Sequence, residues 1–166
     1  AAQVREVDVE ADLVRRPGGQ AVTSSHALLI EPIAGSALLS FPAAAVNTAC
    51  LRSAILAVPG STGGTPVVAW VSIETDAATM GDGDSLGSFV VVNGSHAAGQ
   101  AASSSDDLEW DVTDLVLWSR SHQAASASVV LVLKPEFTAG SRPVELGASE
   151  GGKGAVLRLT EDDECV

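Results

Sequence analysis

Apolar residues in this chain fall mostly at every second position or in short unbroken runs, and glycine, proline or asparagine separates one run from the next. From Val7 to Leu13 the alternation is clean: Val7, Val9, Ala11 and Leu13 share one face, and Asp8, Glu10 and Asp12 share the other. Leu108, Trp110 and Val112 alternate with Glu109 and Asp111 in the same way. A largely apolar stretch from Ala27 to Pro32 reads as a central strand, and further strands are read from Ala37 to Phe41, Leu51 to Val58, Val67 to Ile73, Phe89 to Val92 and Val129 to Lys134. Val144 to Leu146 and Ala155 to Thr160 complete the set, and Glu161 to Glu164 forms an acidic tail. Pro59 to Gly64, Glu74 to Ser88, Pro135 to Pro143 and Gly147 to Gly154 read as loops.

Helical signals are weak. Asp111 and Thr113 carry oxygens that accept backbone N–H groups at a turn, and Asp114 to Trp118 reads as one helical turn after them. Pro42 to Thr48 holds at most another. About ten short strands with glycine turns, and no helix longer than two turns, predict a single all-β domain: an antiparallel β-sandwich or jelly roll.

The phrase Trp110-Asp111-Val112-Thr113-Asp114-Leu115-Val116, followed by Val129-Val130-Leu131-Val132-Leu133-Lys134, resembles the DNRLRE-type extracellular β-sandwich domains, which are related to carbohydrate-binding jelly rolls. Ala11 to Arg15, Ala37 to Pro42, Ser53 to Val58 and Ala155 to Thr160 resemble other strands of that family. The resemblance implies a non-enzymatic extracellular module. It also implies that Asp12 is a candidate ligand for a structural calcium.

Charge narrows the partners. The formal net charge is -12, with 9 Lys and Arg against 21 Asp and Glu. No basic face is available to displace counterions from a nucleic acid, and an anionic membrane surface is disfavoured for the same reason. No window approaches the ~20 apolar residues of a membrane helix. The opening Ala1-Ala2-Gln3 fits the remnant of signal cleavage, which predicts a secreted, extracellular chain. Cys50 and Cys165 sit at strand ends and would pair in an oxidising compartment; the alternative is two thiols, one of them in the core. Asn93-Gly94-Ser95 is at once a glycosylation sequon and an Asn-Gly hairpin turn.

Candidate chemistry is sparse. Gly147-Ala148-Ser149-Glu150-Gly151 matches G-x-S-x-G, but glycines and a strand follow where a nucleophile elbow needs a helix. The same glycines run into Gly152-Lys153 like a phosphate loop, with Gly154 where the hydroxyl residue belongs. Asp76, Asp82 and Asp84 lie in an acidic glycine-rich loop that lacks the third ligand and the terminal glutamate of an EF-hand, leaving a looser calcium site of those three carboxylates with backbone carbonyls, against a solvated acidic loop as the ordinary reading. His26, His96 and His122 have no metal-binding spacing. Trp118, beside Arg120, is the candidate platform for stacking a sugar ring, against core packing as its ordinary role.

Two functions follow as expectations. The first is a structural or adhesive subunit that associates with itself, as a filament or surface layer, through an N-terminal strand carrying Val7, Val9, Ala11 and Leu13. The second is a calcium-assisted carbohydrate-binding module whose partner is an extracellular polysaccharide. No catalytic residue and no cofactor beyond that calcium is expected.

Overall fold

The computed structural model describes residues 2–23, 27–31, 35–61, 65–72, 81, 97–98, 100–101, 107–135, 144–148, 152 and 154–163. The strands are β1 (Ala2–Asp8), β2 (Ala11–Arg15), β3 (Ala21–Val22), β4 (Ala27–Ile30), β5 (Ser36–Pro42), β6 (Leu51–Ser61), β7 (Val67–Val71), β8 (Ala97–Ala98), β9 (Gln100–Ala101), β10 (Asp107–Asp111), β11 (Ser128–Pro135), β12 (Val144–Gly147) and β13 (Val156–Asp162). One helix, α1 (Thr113–His122), joins β10 to β11, and a 3-10 turn spans Ala43–Ala45. All pairings are antiparallel. The first sheet runs β1-β13-β6-β10-β9, with β12 on the far end of β6 and β4 beyond it; the second runs β3-β2-β5-β11-β7-β8. The protein is an all-β sandwich.

The two sheets meet over one large apolar core. Phe41, Leu39 and Leu131 enter it from the second sheet, Leu56, Leu157 and Trp110 from the first. Trp110 has no exposed surface, and its indole N–H donates to the Val67 carbonyl at 3.0 Å. That bond ties β10 to β7 across the layers and satisfies a polar atom that burial would otherwise penalise.

A second apolar cluster explains the unbroken runs. Leu13, Ala21, Leu38, Val130 and Val132, with Trp70 packed against them, lie on the opposite face of the second sheet from Leu39 and Leu131. Both faces of β5 and β11 are therefore covered, and their residues read as continuous hydrophobic sequence rather than alternation.

Several expectations require correction. The alternating stretch Val7–Leu13 is not one strand. Val9 donates its N–H to Ala155 near β13, and Glu10 donates to Ser40 on β5 (3.1 and 2.8 Å), so the chain crosses between sheets at these two residues. Val7 then faces the interlayer core while Leu13 lies in the second cluster, and the four positions do not share a face. The strand Ala27–Ile30 is not central: among the described residues it pairs only with β12, and Leu29 is exposed. Strand β6 continues through Pro59, Gly60 and Ser61, read above as a loop. Gly60 sits at φ +136 opposite Leu146, where a Cβ would fall 2.5 Å from the Glu145 carbonyl oxygen, so only glycine lets β12 pair there. Glu161 and Asp162 belong to β13 rather than to a tail. The short strand Phe89–Val92 lies outside the described residues.

Helix α1 is longer than the expected single turn, at 10 residues. Its start obeys the sequence reading. Asp111 Oδ1 accepts the Thr113 N–H at 3.1 Å, and Thr113 Oγ1 accepts the Ala54 N–H at 2.9 Å. Its second half is held by polar contacts that hydrophobic periodicity does not report. Ser119 Oγ donates to Gln123, whose amide donates to the Ser72 carbonyl of the second sheet (2.8 and 3.1 Å).

Candidate functional site

Strand β1 is the most accessible strand of those whose burial is described. It lies at the end of the first sheet and pairs with β13 from Ala2↔Asp162 to Asp8↔Val156. Among the described residues no strand pairs with its other edge. Of its 7 residues only Val7 is buried. The alternation forms it as a strand, but Val7 alone reaches the core, and the remainder is held by the ladder to β13 and by one charged side chain.

That side chain is Arg5. Its Nε donates to Glu161 Oε1 at 2.7 Å, and Nη2 donates to the Ala45 carbonyl of the 3-10 turn. On the other face, Glu6 approaches Arg158 of β13 at 3.8 Å, and Arg158 also meets Glu109 at 2.7 Å and Asp107 at 3.9 Å. Arg5 and Glu6 are thus turned onto their own molecule. Val4 is left pointing outward with 66% of its surface exposed, the most of any large hydrophobic among the described residues; Leu29 follows at 49% and Leu117 at 37%.

The remaining candidates are scattered. Trp118 is half-buried against the main core, and its indole stacks on the His122 ring at 4.5 Å between centroids and 9° between planes. One indole face is therefore occupied by imidazole. Arg120 is half-buried on the same helix. Asp12 is not on a solvated acidic face: it is buried in β2, in phase with Val14 of the core and next to the buried Leu13. Asp76, Asp82 and Asp84 lie outside the described residues, as do Asn93, His26, His96 and Ser149. Among the described residues no three His, Cys, Asp or Glu side chains are placed to hold a metal ion.

Cys50 is buried at the start of β6, and its carbonyl accepts the Asp162 N–H at 2.9 Å, which brings the end of β13 alongside it. No described cysteine is free. Cys165 lies outside the described residues.

Surface depressions offer little chemistry. An open hollow of about 450 Å³ lies where β4, β12 and β6 meet, lined by Ala27, Pro59, Gly60, Ser61 and Leu146, with Glu145 the one charged residue among its described lining. A second of about 300 Å³ opens at the seam between β4 and β2, with Leu29 and Val22 on its walls and the Arg16–Glu31 ion pair at 3.1 Å. No helix among the described residues is long and apolar enough to cross a membrane.

The sequence reading found the N-terminal strand but missed what distinguishes it, the outward Val4. The signal was present: Val4 and Val7 are three apart and cannot share a face of one strand. No family model matches the chain, and no curated protein matches its sequence.

Proposed function

We propose that the protein is a non-enzymatic, secreted structural subunit that associates with copies of itself through its N-terminal strand. The observation that carries this reading is the state of β1: an edge strand with one buried residue, an exposed valine, and Arg5 and Glu6 paired within their own molecule. Natural sheets usually guard an edge with lysine, proline or an outward charge, because a bare row of N–H and C=O groups recruits another strand. Here the guard is absent from the part of the edge around Val4.

The resemblance to DNRLRE-type domains supports the same class of function, a β-sandwich that meets other molecules without transforming them. The sugar-binding alternative draws less support, since the candidate platform Trp118 already carries His122 on one face. Light scattering coupled to size-exclusion chromatography tests the proposal on the intact chain and on a version lacking residues 2–8. The intact chain is expected to associate as concentration rises and the shortened one to remain single. Equal association of both would remove β1 from the interface, and a single species for both would remove self-association.

A further inference from the structure

We infer that the self-contact is two-fold symmetric: β1 pairs antiparallel with β1 of a second copy, with Val4 facing its own symmetry mate. This rests on the reading that the chain associates through β1, and it adds the register and the closure of the contact.

The register follows from the residues that β1 can present. In an antiparallel pair, residues directly opposite lie on the same face of the sheet. A two-fold axis perpendicular to the sheet brings each residue opposite a partner of its own phase, so the two position numbers add to an even sum. A sum of ten sets Arg5 on Arg5, and a sum of twelve sets Glu6 on Glu6; both place like charges in direct contact. A sum of six engages only Ala2, Gln3 and Val4. A sum of eight pairs Val4 with Val4, Gln3 with Arg5 and Ala2 with Glu6, with no like charges opposed. A two-fold axis lying in the sheet plane along the strands would make the two edges parallel, so it does not give an antiparallel contact.

Geometry on the molecule agrees with a sum of eight. Val4 is the exposed hydrophobic, and it sits at the centre of that register. Arg5 is drawn away from the edge by Glu161 and Ala45, and Glu6 leans toward Arg158, so neither side chain blocks the approach. The first sheets of the two copies then become one continuous sheet. Because the same patch serves both copies, the contact closes at two, and growth beyond a pair needs a second surface. A contact of five residues along an edge lies below the area of a standard stable interface, so the pairing is weak and concentration-dependent.

Cysteine trapping tests this on the full-length chain. Facing residues of an antiparallel pair have Cα atoms roughly 4.5–5.5 Å apart, inside the range that a disulfide spans. Val4→Cys is expected to shift under mild oxidation from the mass of one chain to that of two, with peptide mapping locating the bond between the two introduced cysteines. Arg5→Cys, which lies opposite Gln3, is expected to remain a single chain. Equal trapping of both variants overturns the register. A further variant separates the alternative in which β1 is exchanged between copies. Val4 faces Thr160 within the molecule, so Val4→Cys with Thr160→Cys linked between chains would overturn the two-fold edge contact while leaving association through β1 intact. An intact chain that stays single at every concentration would instead overturn the reading beneath it.

Discussion

Removing β1 should cost the sandwich little, and the structure says how little. The ladder from β1 to β13 supplies roughly one hydrogen bond per residue, each contributing a net ~1 kcal/mol. Ordering the backbone of those residues costs about 1–2 kcal/mol apiece, so the two contributions are similar in size and opposite in sign. What remains is the burial of Val7, the one core side chain of the strand, worth about 2 kcal/mol. The half-exposed Arg5–Glu161 pair adds at most ~1 kcal/mol. Deletion of residues 2–8 is therefore expected to lower stability by about 2–3 kcal/mol against the 5–15 kcal/mol typical of a domain. Urea unfolding followed by tryptophan fluorescence measures it, with circular dichroism confirming that strand content survives. Loss of cooperative unfolding, or a destabilisation above ~5 kcal/mol, would refute the reasoning, because it would mean that β1 is integral to the core rather than laid on its edge.

Other consequences are open to the same measurements. Trp110→Phe leaves the Val67 carbonyl buried without its donor and removes ring volume, which should cost about 2–4 kcal/mol and lower Tm by on the order of 10 °C; a change below ~1 kcal/mol in calorimetry would contradict the interlayer role of the indole N–H. Thr113→Ala removes the acceptor of the Ala54 N–H and a contact to Asp111 at the start of α1, an expected loss of about 1–2 kcal/mol in urea titration. Cys50 and Cys165 are expected to be joined, so the intact mass should be lower than that of the reduced chain by two hydrogens, and reduction should lower stability by about 5 kcal/mol for a loop of that length. Arg158→Ala removes half-exposed ion pairs to Glu6, Asp107 and Glu109 and should change stability by less than ~1 kcal/mol in the same titration.

The sandwich was legible because most strands announce themselves through β-branched runs bounded by glycine and proline, as at Val129–Lys134 and Leu51–Val58. Misreadings arose where tertiary packing overrode local pattern. Val7–Leu13 alternates perfectly in sequence, yet the chain changes sheets at Val9 and Glu10, a decision made by the Ala155 and Ser40 carbonyls far along the chain. Leu28 and Ile30 gave Ala27–Pro32 the look of a central strand, although it is an edge with Leu29 in solvent. The length of α1 depends on Gln123 reaching the Ser72 carbonyl, a contact with no periodic signature. Similarly, composition exposed the candidate strand but not its exposed edge, since the inward pull on Arg5 comes from Glu161 and Ala45.

Sedimentation velocity over a concentration series, on the intact chain and on Val4→Asp, tests self-association through β1 most directly, since the substitution touches a side chain already in solvent. The sedimentation coefficient of the intact chain should rise with concentration, while that of the variant stays flat because two carboxylates would meet across the axis. Identical profiles for the two chains would contradict the account.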